Sequence, residues 1–494
     1  MYLPAPSAAK FRTSRPLLTP YSLSRVILVA LVCVALIAFA IYSYHDVING
    51  KAESRVISRR IVVEYDDISV DALQKELSLA LASYTKKKGV SKIDHIANMF
   101  KELKMVALYT ARAPSSLSDF AELGRRLRTY KLLFEIYHDY PQLKARLQKW
   151  PEWSDVEGVL TAMETELFPW MFSAKKWKNA KQLRDSYNGR GIVMTTGQWH
   201  FRFAHHAILA LRTLIKTDLP IELFYAGRYD LDDEHIKILS DIPNVTVIDV
   251  TTIVGDDGGL GGWAVKPFSM LASSFREIVF MDADALFFQD PAVLFDYERY
   301  NSTGTVFYRD RTVKGWDKNL KEWFATLLPD PSDLYKQSRI FKELSVHEQD
   351  SGVVVLDKVR SFHGLLAVCK MNGHNEHTEV YKHMHGDKET FWISFEMTRV
   401  PYAWSPFYGG AVGYLSPDGA VCGGLLHPDE SGNPLWFNGG RGVSWKWETP
   451  TTPFCLEIAV DVTTEERRDV IELTNEQKAL AGKYVDLWRQ CCDY

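Results

Sequence analysis

The stretch Arg276-Glu277-Ile278-Val279-Phe280-Met281-Asp282-Ala283-Asp284-Ala285-Leu286-Phe287-Phe288-Gln289-Asp290-Pro291 decides how the rest of this chain is read. Ile278 to Met281 are apolar and largely β-favouring with no polar alternation, the pattern of a strand buried on both faces of an α/β sheet. Two carboxylates follow. Asp282 and Asp284 are two positions apart, so extended backbone points them the same way, and Ala283 between them adds no bulk. Carboxylate oxygens converging at the carboxyl end of a sheet strand make a hard anionic site suited to Mg²⁺ or Mn²⁺. A sugar-nucleotide transferase needs such a site, because a divalent ion bridging protein and diphosphate neutralises charge on the leaving group. Since Asp-x-Asp is also common in solvated loops, the weight comes from the strand before it and from the rest of the chain.

Upstream, the residues Tyr187-Asn188-Gly189-Arg190-Gly191 open a repeating pattern. Ile192 to Met194 read as a strand, Ala204 to Lys216 as a helix, Ile221 to Tyr225 as a strand, Asp232 to Ser240 as a helix and Val245 to Val250 as a third strand. This alternation predicts an α/β fold with right-handed crossovers, whose ligands lie outside the carboxyl ends of the strands. Thr195, Thr196 and Gly197, which end the first strand, are therefore candidates for substrate binding. Gly189 and Gly191 precede that strand, whereas phosphate-binding glycines follow one. After the glycine-rich segment Gly258 to Gly262, a helix is expected from Pro267 to Ser274. Lys266 sits at its N-terminus, where the helix dipole disfavours a cation unless an anion is near, and a donor phosphate would be that anion. A solvated surface lysine is the alternative.

The composition of the 494 residues narrows the class. The formal net charge of -4 gives no reason to propose a nucleic-acid partner. Six cysteines are too few for a disulfide scaffold at this length. The sequence leaves a Cys422 to Cys455 bridge open, and Cys491 and Cys492 are expected near the surface, where either is available to a second chain. Residues 1–25 carry Lys10, Arg12, Arg15 and Arg25 and no acid, and Val26 to Tyr42 carry no charge. Such a run spans about 26 Å as a helix, close to the thin early-secretory bilayer. The positive flank predicts a cytosolic tail (1–25), a signal anchor (26–42) and a lumenal remainder. A signal peptide cleaved after Ala38-Phe39-Ala40 is the competing reading. Residues 43–94 then read as a stem, 95–186 as a helical region packed on the catalytic domain, 187–460 as that domain, and 461–494 as a C-terminal helix opened by the capping box Thr474-x-x-Gln477.

Several motifs in this order resemble a known family. They are Lys266-Pro267-Phe268, Ser273-Ser274-Phe275, Ile278 to Pro291, Gln349-Asp350-Ser351-Gly352-Val353-Val354-Val355, Gly386-Asp387-Lys388-Glu389-Thr390-Phe391-Trp392 and Leu435-Trp436-Phe437-Asn438-Gly439-Gly440. Together they are similar to the fungal Golgi α-mannosyltransferases that extend mannan and glycoprotein side chains (glycosyltransferase family 71), over roughly residues 187 to 445. The resemblance implies a GT-A fold with a mixed, mostly parallel sheet and flanking helices, a type II membrane anchor in the Golgi, GDP-mannose as donor, a glycan acceptor, Mn²⁺ or Mg²⁺, and retention of anomeric configuration. A Golgi transferase complex or a homo-oligomer fits the same picture. Ala285 departs from the more polar residue expected after the second aspartate.

The resemblance also orders the candidate site. Ser351 and Gly352 would line the sugar pocket, glycine letting backbone approach the donor. Asp350 would bond sugar hydroxyls, or else be a turn aspartate at the strand entry. Asp387 or Glu389, ahead of a helix expected over Lys388 to Phe395, would face the reacting sugar, the alternative being a plain N-cap. His427 would join Asp282 and Asp284 as third metal ligand, with Asp429 as substitute. Trp436, Asn438 and Gly439 suit sugar stacking and hydroxyl recognition. The histidines 363, 374, 377, 383 and 385 fit no metal-ligand spacing and are expected in a solvated loop. Two other readings stay open: the same fold with another nucleotide sugar such as a UDP-hexose, and a non-catalytic glycan-binding or scaffold protein.

Overall fold

Strand β4 (Glu277–Met281) sits mid-sheet and is buried from Ile278 to Met281. Its parallel neighbour is β1 (Arg190–Thr195), followed outward by β2 (Ile221–Tyr225) and β3 (Val245–Asp249), all parallel. On its other side lies β7 (Gln349–Asp357), nine buried residues running antiparallel to it. Beyond come β6 (Thr305–Arg309), antiparallel to β7, and the short β8 (Ala403–Trp404), parallel to β6. The order is therefore β3-β2-β1-β4-β7-β6-β8, a mixed and mostly parallel sheet. The structure, a computed structural model, describes residues 119–438 apart from 150–154, 175, 256–259, 314–319, 416 and 418–420, together with 454–459, 468–492 and scattered positions from 79 to 108. The expected anchor, nearly all of the expected stem, and Gly439 lie outside these residues. Among the described residues no helix is long and apolar enough to cross a membrane.

Both sheet faces are covered, which is why the central strands show no polar alternation. On one face Ile192, Met194, Val279, Met281, Val353 and Val355 pack with the Phe201–Ala210 helix and with Tyr484 and Trp488 of the Asn475–Cys491 helix. The alternate residues Val193, Ile278, Phe280, Val354 and Leu356 are equally buried. By the twofold strand period they point to the opposite face. Three further helices pack around the domain, Val265–Ala272, Phe362–Met371 and Thr390–Thr398. The helix Phe120–His138 lies on the last of them. Its Arg128 Nη1 donates to Met397 O (3.1 Å) and its Lys131 Nζ to Thr398 O and Arg399 O (3.2 and 3.0 Å).

The sequence pattern did not foresee a second sheet. Its order is β13-β12-β9-β10-β11-β5, with β5 (Ala285–Phe287), β9 (Gly410–Leu415), β10 (Val421–Pro428), β11 (Pro434–Asn438), β12 (Phe454–Ala459) and β13 (Arg468–Glu472), all pairs antiparallel. It begins immediately after Asp284, so that motif hands the chain from one sheet to the other. It also corrects the C-terminal expectation, since β13 precedes the helix within 461–494. The capping box itself forms, with Gln477 N to Thr474 Oγ1 at 3.2 Å and Thr474 N to Gln477 Oε1 at 2.9 Å. In register, Cys422 faces Tyr414 and Cys455 faces Gly413 on opposite sides of β9. Cys491 and Cys492 are joined to each other. The histidine-rich segment is not a loop either: His363 is buried between Tyr130 and Phe134, and His374, His377 and His383 belong to the helix His374–His383.

Candidate active site

Because β7 runs against β4, its first residues lie beside the last residues of β4. Met281 pairs with Val353, and Asp282 N donates to Gly352 O at 2.8 Å. The Asp-Ser-Gly segment thereby reaches the two aspartates from an opposite chain direction. Between the pairs Phe307/Val354 and Tyr308/Asp350 the β6–β7 ladder breaks register. Such a bulge re-aims side chains, here over Ser351 and Gly352. A Cβ on Gly352 would come within 3.0 Å of Asn438 Nδ2, 3.2 Å of Asp350 Oδ1 and 3.2 Å of Trp436 Cη2. Glycine is what lets these groups meet.

The two aspartates differ from the extended arrangement expected. Ala285 N donates to Asp282 O at 3.0 Å, so Ala283 and Asp284 form a turn between β4 and β5. Both carboxylates still belong to one electrostatic group. Lys266, in the first turn of its helix, places Nζ 2.8 Å from Asp282 Oδ1 and 3.7 Å from Asp387 Oδ2. Burial opposes the charge on Lys266, but Asp282 and Asp387 outweigh it and hold the ammonium well above its ordinary pKa. Burial pushes Asp282 up to about 7; Lys266 pulls it down, while Asp284 and Asp387 add to the rise. Asp284 is also raised by burial, against Lys266 and against His200 in the turn after β1. Asp387 is 2% exposed, is raised by burial, and its Oδ2 has no hydrogen-bond partner. Its backbone carbonyl, not its side chain, accepts from Thr390 N (2.9 Å), so it is not a side-chain N-cap.

Glu389 is placed differently. Its carboxylate accepts from Glu348 N (2.9 Å), Gln349 N (3.4 Å) and Trp392 Nε1 (2.6 Å), all buried. It ties the start of β7 to the Thr390–Thr398 helix and has no oxygen to spare for a sugar. His427 is fully buried on β10, with Nε2 2.9 Å from Asp350 Oδ2 and its ring stacked on Trp436 (4.2 Å, 23°). Burial would raise Asp350, but the hydrogen bond and charge of His427 and the charge of Lys388 hold it well below the usual carboxylate range. The metal set expected from sequence is therefore not assembled: the ligand atoms of Asp282, Asp284 and His427 do not form a group within 4.8 Å of one another. Asp429 does not replace His427, since it accepts Ser431 N and Asn433 N (2.9 and 2.8 Å) within a turn.

Thr195, Thr196 and Gly197 stand at the carboxyl end of β1, where a Cβ on Gly197 would meet Asp230 Oδ1 at 2.3 Å. His200, in the turn after β1, favours the charged forms of both Asp230 and Asp284. His200, Lys388 (Nζ 2.8 Å from Asp310 Oδ2) and the half-exposed Trp263 packed on Gly386 were missed by sequence reasoning. Lys388 stands inside the Gly386 to Trp392 motif without being singled out by it, and His200 and Trp263 are brought in by the fold. Lys266 thus lies between the carboxylates of Asp282 and Asp387, the latter with a buried oxygen lacking a hydrogen bond, and feels the charge of Asp284 as well. Carboxylate oxygens are the donors that a hard divalent cation takes, and Asp282 and Asp284 would hold one, although the three carboxylates do not themselves converge within 4.8 Å.

The family comparison falls on this segment. Residues 189–429, from the turn before β1 to the end of β10, match the family described as "Mannosyltransferase putative". "Putative alpha-1,3-mannosyltransferase MNN14" of Candida albicans is 27% identical over 286 residues, covering 49% of this chain and 41% of that protein. "Alpha-1,3-mannosyltransferase MNT3" of Saccharomyces cerevisiae is 24% identical over 390 residues, covering 64% of this chain and 61% of that protein. The chain spans about half the length of the curated relatives it matches. Among solved structures, the galactosyltransferase LgtC with donor and acceptor sugar analogs aligns with 44% of this chain and 73% of that one at 10% identity and a TM-score of 0.29, a likeness too slight to bear on the site. The segment that builds the site matches a mannosyltransferase family model, and the chain is similar to yeast α-1,3-mannosyltransferases.

Proposed function

We propose that this protein is a GT-A α-mannosyltransferase that moves mannose from GDP-mannose to a mannosyl acceptor on protein-linked or cell-wall glycans. The observation that carries the reading is the meeting of Lys266, Asp282 and Asp387 at the carboxyl end of β4, beside Asp350-Ser351-Gly352. The names of the relatives favour an α-1,3 linkage. Asp282 and Asp284 would hold Mn²⁺ or Mg²⁺ with the donor diphosphate, and the bound ion would stabilise negative charge on the leaving group.

The residues of the chain divide the remaining work. Lys266 releases part of its hold on Asp282 and balances a phosphate oxygen. Asp387, whose Oδ2 accepts no hydrogen bond, faces the cationic character that develops at the sugar carbon. Ser351 and the bare backbone of Gly352 border the sugar, with Trp436 and Asn438 behind them. His427 holds Asp350 ionised and correctly turned. With retention of configuration, the leaving phosphate itself can accept the proton of the acceptor hydroxyl, so no separate base is required. The anchor at 26–42 would set this domain in the Golgi lumen.

Incubation of the full chain with Mn²⁺, GDP-mannose and a panel of mannosides, followed by linkage mapping, tests the reading. Transfer is expected from GDP-mannose and to vanish in Asp282→Ala/Asp284→Ala. Transfer from a UDP-hexose alone would reassign the donor, and no transfer from any donor by folded protein would make it a binding protein.

A further inference from the structure

One large apolar side chain left open to solvent, Trp263, packs against the motif that carries Asp387. It stands in the short turn Gly262–Ala264, which leads into the helix Val265–Ala272, three residues ahead of Lys266. A Cβ on Gly386 would come within 2.6 Å of the indole, so the glycine before Asp387 is what lets the ring rest on the backbone there. His385 (5.1 Å between ring centroids) and the edge of Tyr381 (6.2 Å, 71°) flank the same ring. Tyr381 is itself held, its hydroxyl donating to Asn372 Oδ1 at 2.7 Å, while Asn372 Nδ2 donates to Thr390 Oγ1 at 2.8 Å. The indole is therefore fixed by two chain segments, one bearing Lys266 and the other Asp387.

Trp436, the aromatic expected from sequence to stack on a sugar, has no open face to offer. It is fully buried, with the His427 ring against one face and Tyr308 edge-on (5.1 Å, 87°). Trp263, by contrast, is 48% exposed. Asp350, Ser351 and Asp387 are buried, which suits a donor sugar drawn out of water. An acceptor is the end of a larger glycan whose remainder stays in solvent, and a half-open ring at the rim of the site matches that requirement.

One face of a mannopyranose is lined by C–H groups, and a flat aromatic ring buries such a face while the hydroxyls keep their polar partners. We propose that Trp263 is the platform on which the terminal mannose of the acceptor glycan stacks, beside Asp387. The assignment rests on the transferase reading above and names the residue that sets acceptor affinity as distinct from donor affinity.

The test titrates the full chain, with Mg²⁺ and GDP present, with an α-linked mannobiose by saturation-transfer NMR, and measures GDP affinity separately by calorimetry. Trp263→Ala and Trp263→Leu, the second keeping apolar bulk without a flat face, are expected to weaken mannobiose binding at least about tenfold and to leave the Kd of GDP and the Tm unchanged. Trp263→Phe should bind within about threefold of the unaltered chain. In transfer assays the Ala and Leu changes should raise the acceptor KM and not the KM for GDP-mannose. An unaltered chain that binds no mannobiose, an affinity unmoved by both substitutions, or a loss of GDP affinity in its place would overturn the assignment. Absence of transfer by the unaltered chain would fall instead on the function proposed above, because mannobiose binding is read without turnover.

Discussion

The ammonium of Lys266 bonds both oxygens of Asp282, at 2.8 and 2.9 Å, so the first aspartate of the motif is already half of an ion pair. A metal ion must compete with that pair. Replacing Lys266 by Met removes a positive charge beside three carboxylates and is expected to tighten Mn²⁺ binding about tenfold. The same change deprives the donor phosphate of its cation and should slow transfer by about 100-fold. Calorimetric Mn²⁺ titration and a transfer assay should therefore move in opposite directions; parallel losses would speak against the competition.

Asp387 keeps a buried oxygen without a hydrogen bond, which is costly unless the group has a functional role. Asp387→Asn is expected to leave Tm unchanged or higher while reducing transfer by two orders of magnitude or so. A fall in Tm proportionate to the activity loss would reassign the residue to structure.

Glu389 should behave in the reverse manner. Glu389→Gln presents an amide N–H₂ to one of the three donors that its carboxylate satisfies, at a cost of about 2–3 kcal/mol. Urea unfolding should show a lower midpoint, with any loss of transfer following the folded fraction.

Glu164 supplies a pH effect remote from the site. Burial raises its pKa to about 7, against the bonds donated by Tyr130 hydroxyl (2.9 Å) and Ala180 N (3.2 Å). A carboxyl raised above its unfolded value stabilises fully below the unfolded pKa and loses that contribution as pH rises through the folded one. Stability is thus expected to decline between about pH 4.3 and pH 7, by on the order of 3 kcal/mol from this group. In Glu164→Gln, whose amide can donate to Tyr130 and accept from Ala180, that part of the pH dependence of the urea midpoint should disappear.

Local apolar runs made the parallel half of the sheet legible. Ile221–Tyr225 is observed with the bounds expected, and β1, β3 and β4 differ by a residue or two at their ends. The helix expected over Pro267 to Ser274 starts two residues earlier, which keeps Lys266 in its first turn. β5 and the antiparallel sheet were illegible because their pairings join residues far apart in sequence. Trp436 with Phe287 is one such pair, and β10 carries two consecutive glycines with no side chain to signal a strand. The motifs indicated which residues matter, but not their partners. Nothing in the spacing of His427 reveals that it bonds Asp350, since both are fixed by separate sheets.

The long segment between Asp282 and Gly352 holds β5 and β6, each paired in a sheet, so only the connections between these strands are free to vary. Insertions in those connections lengthen the route from one motif to the other without moving either, provided that Met281 still meets Val353. What cannot change is parity. A slip of one residue would turn Asp350 and Gly352 to the opposite face, so the active site is protected by whole-strand register rather than by chain length.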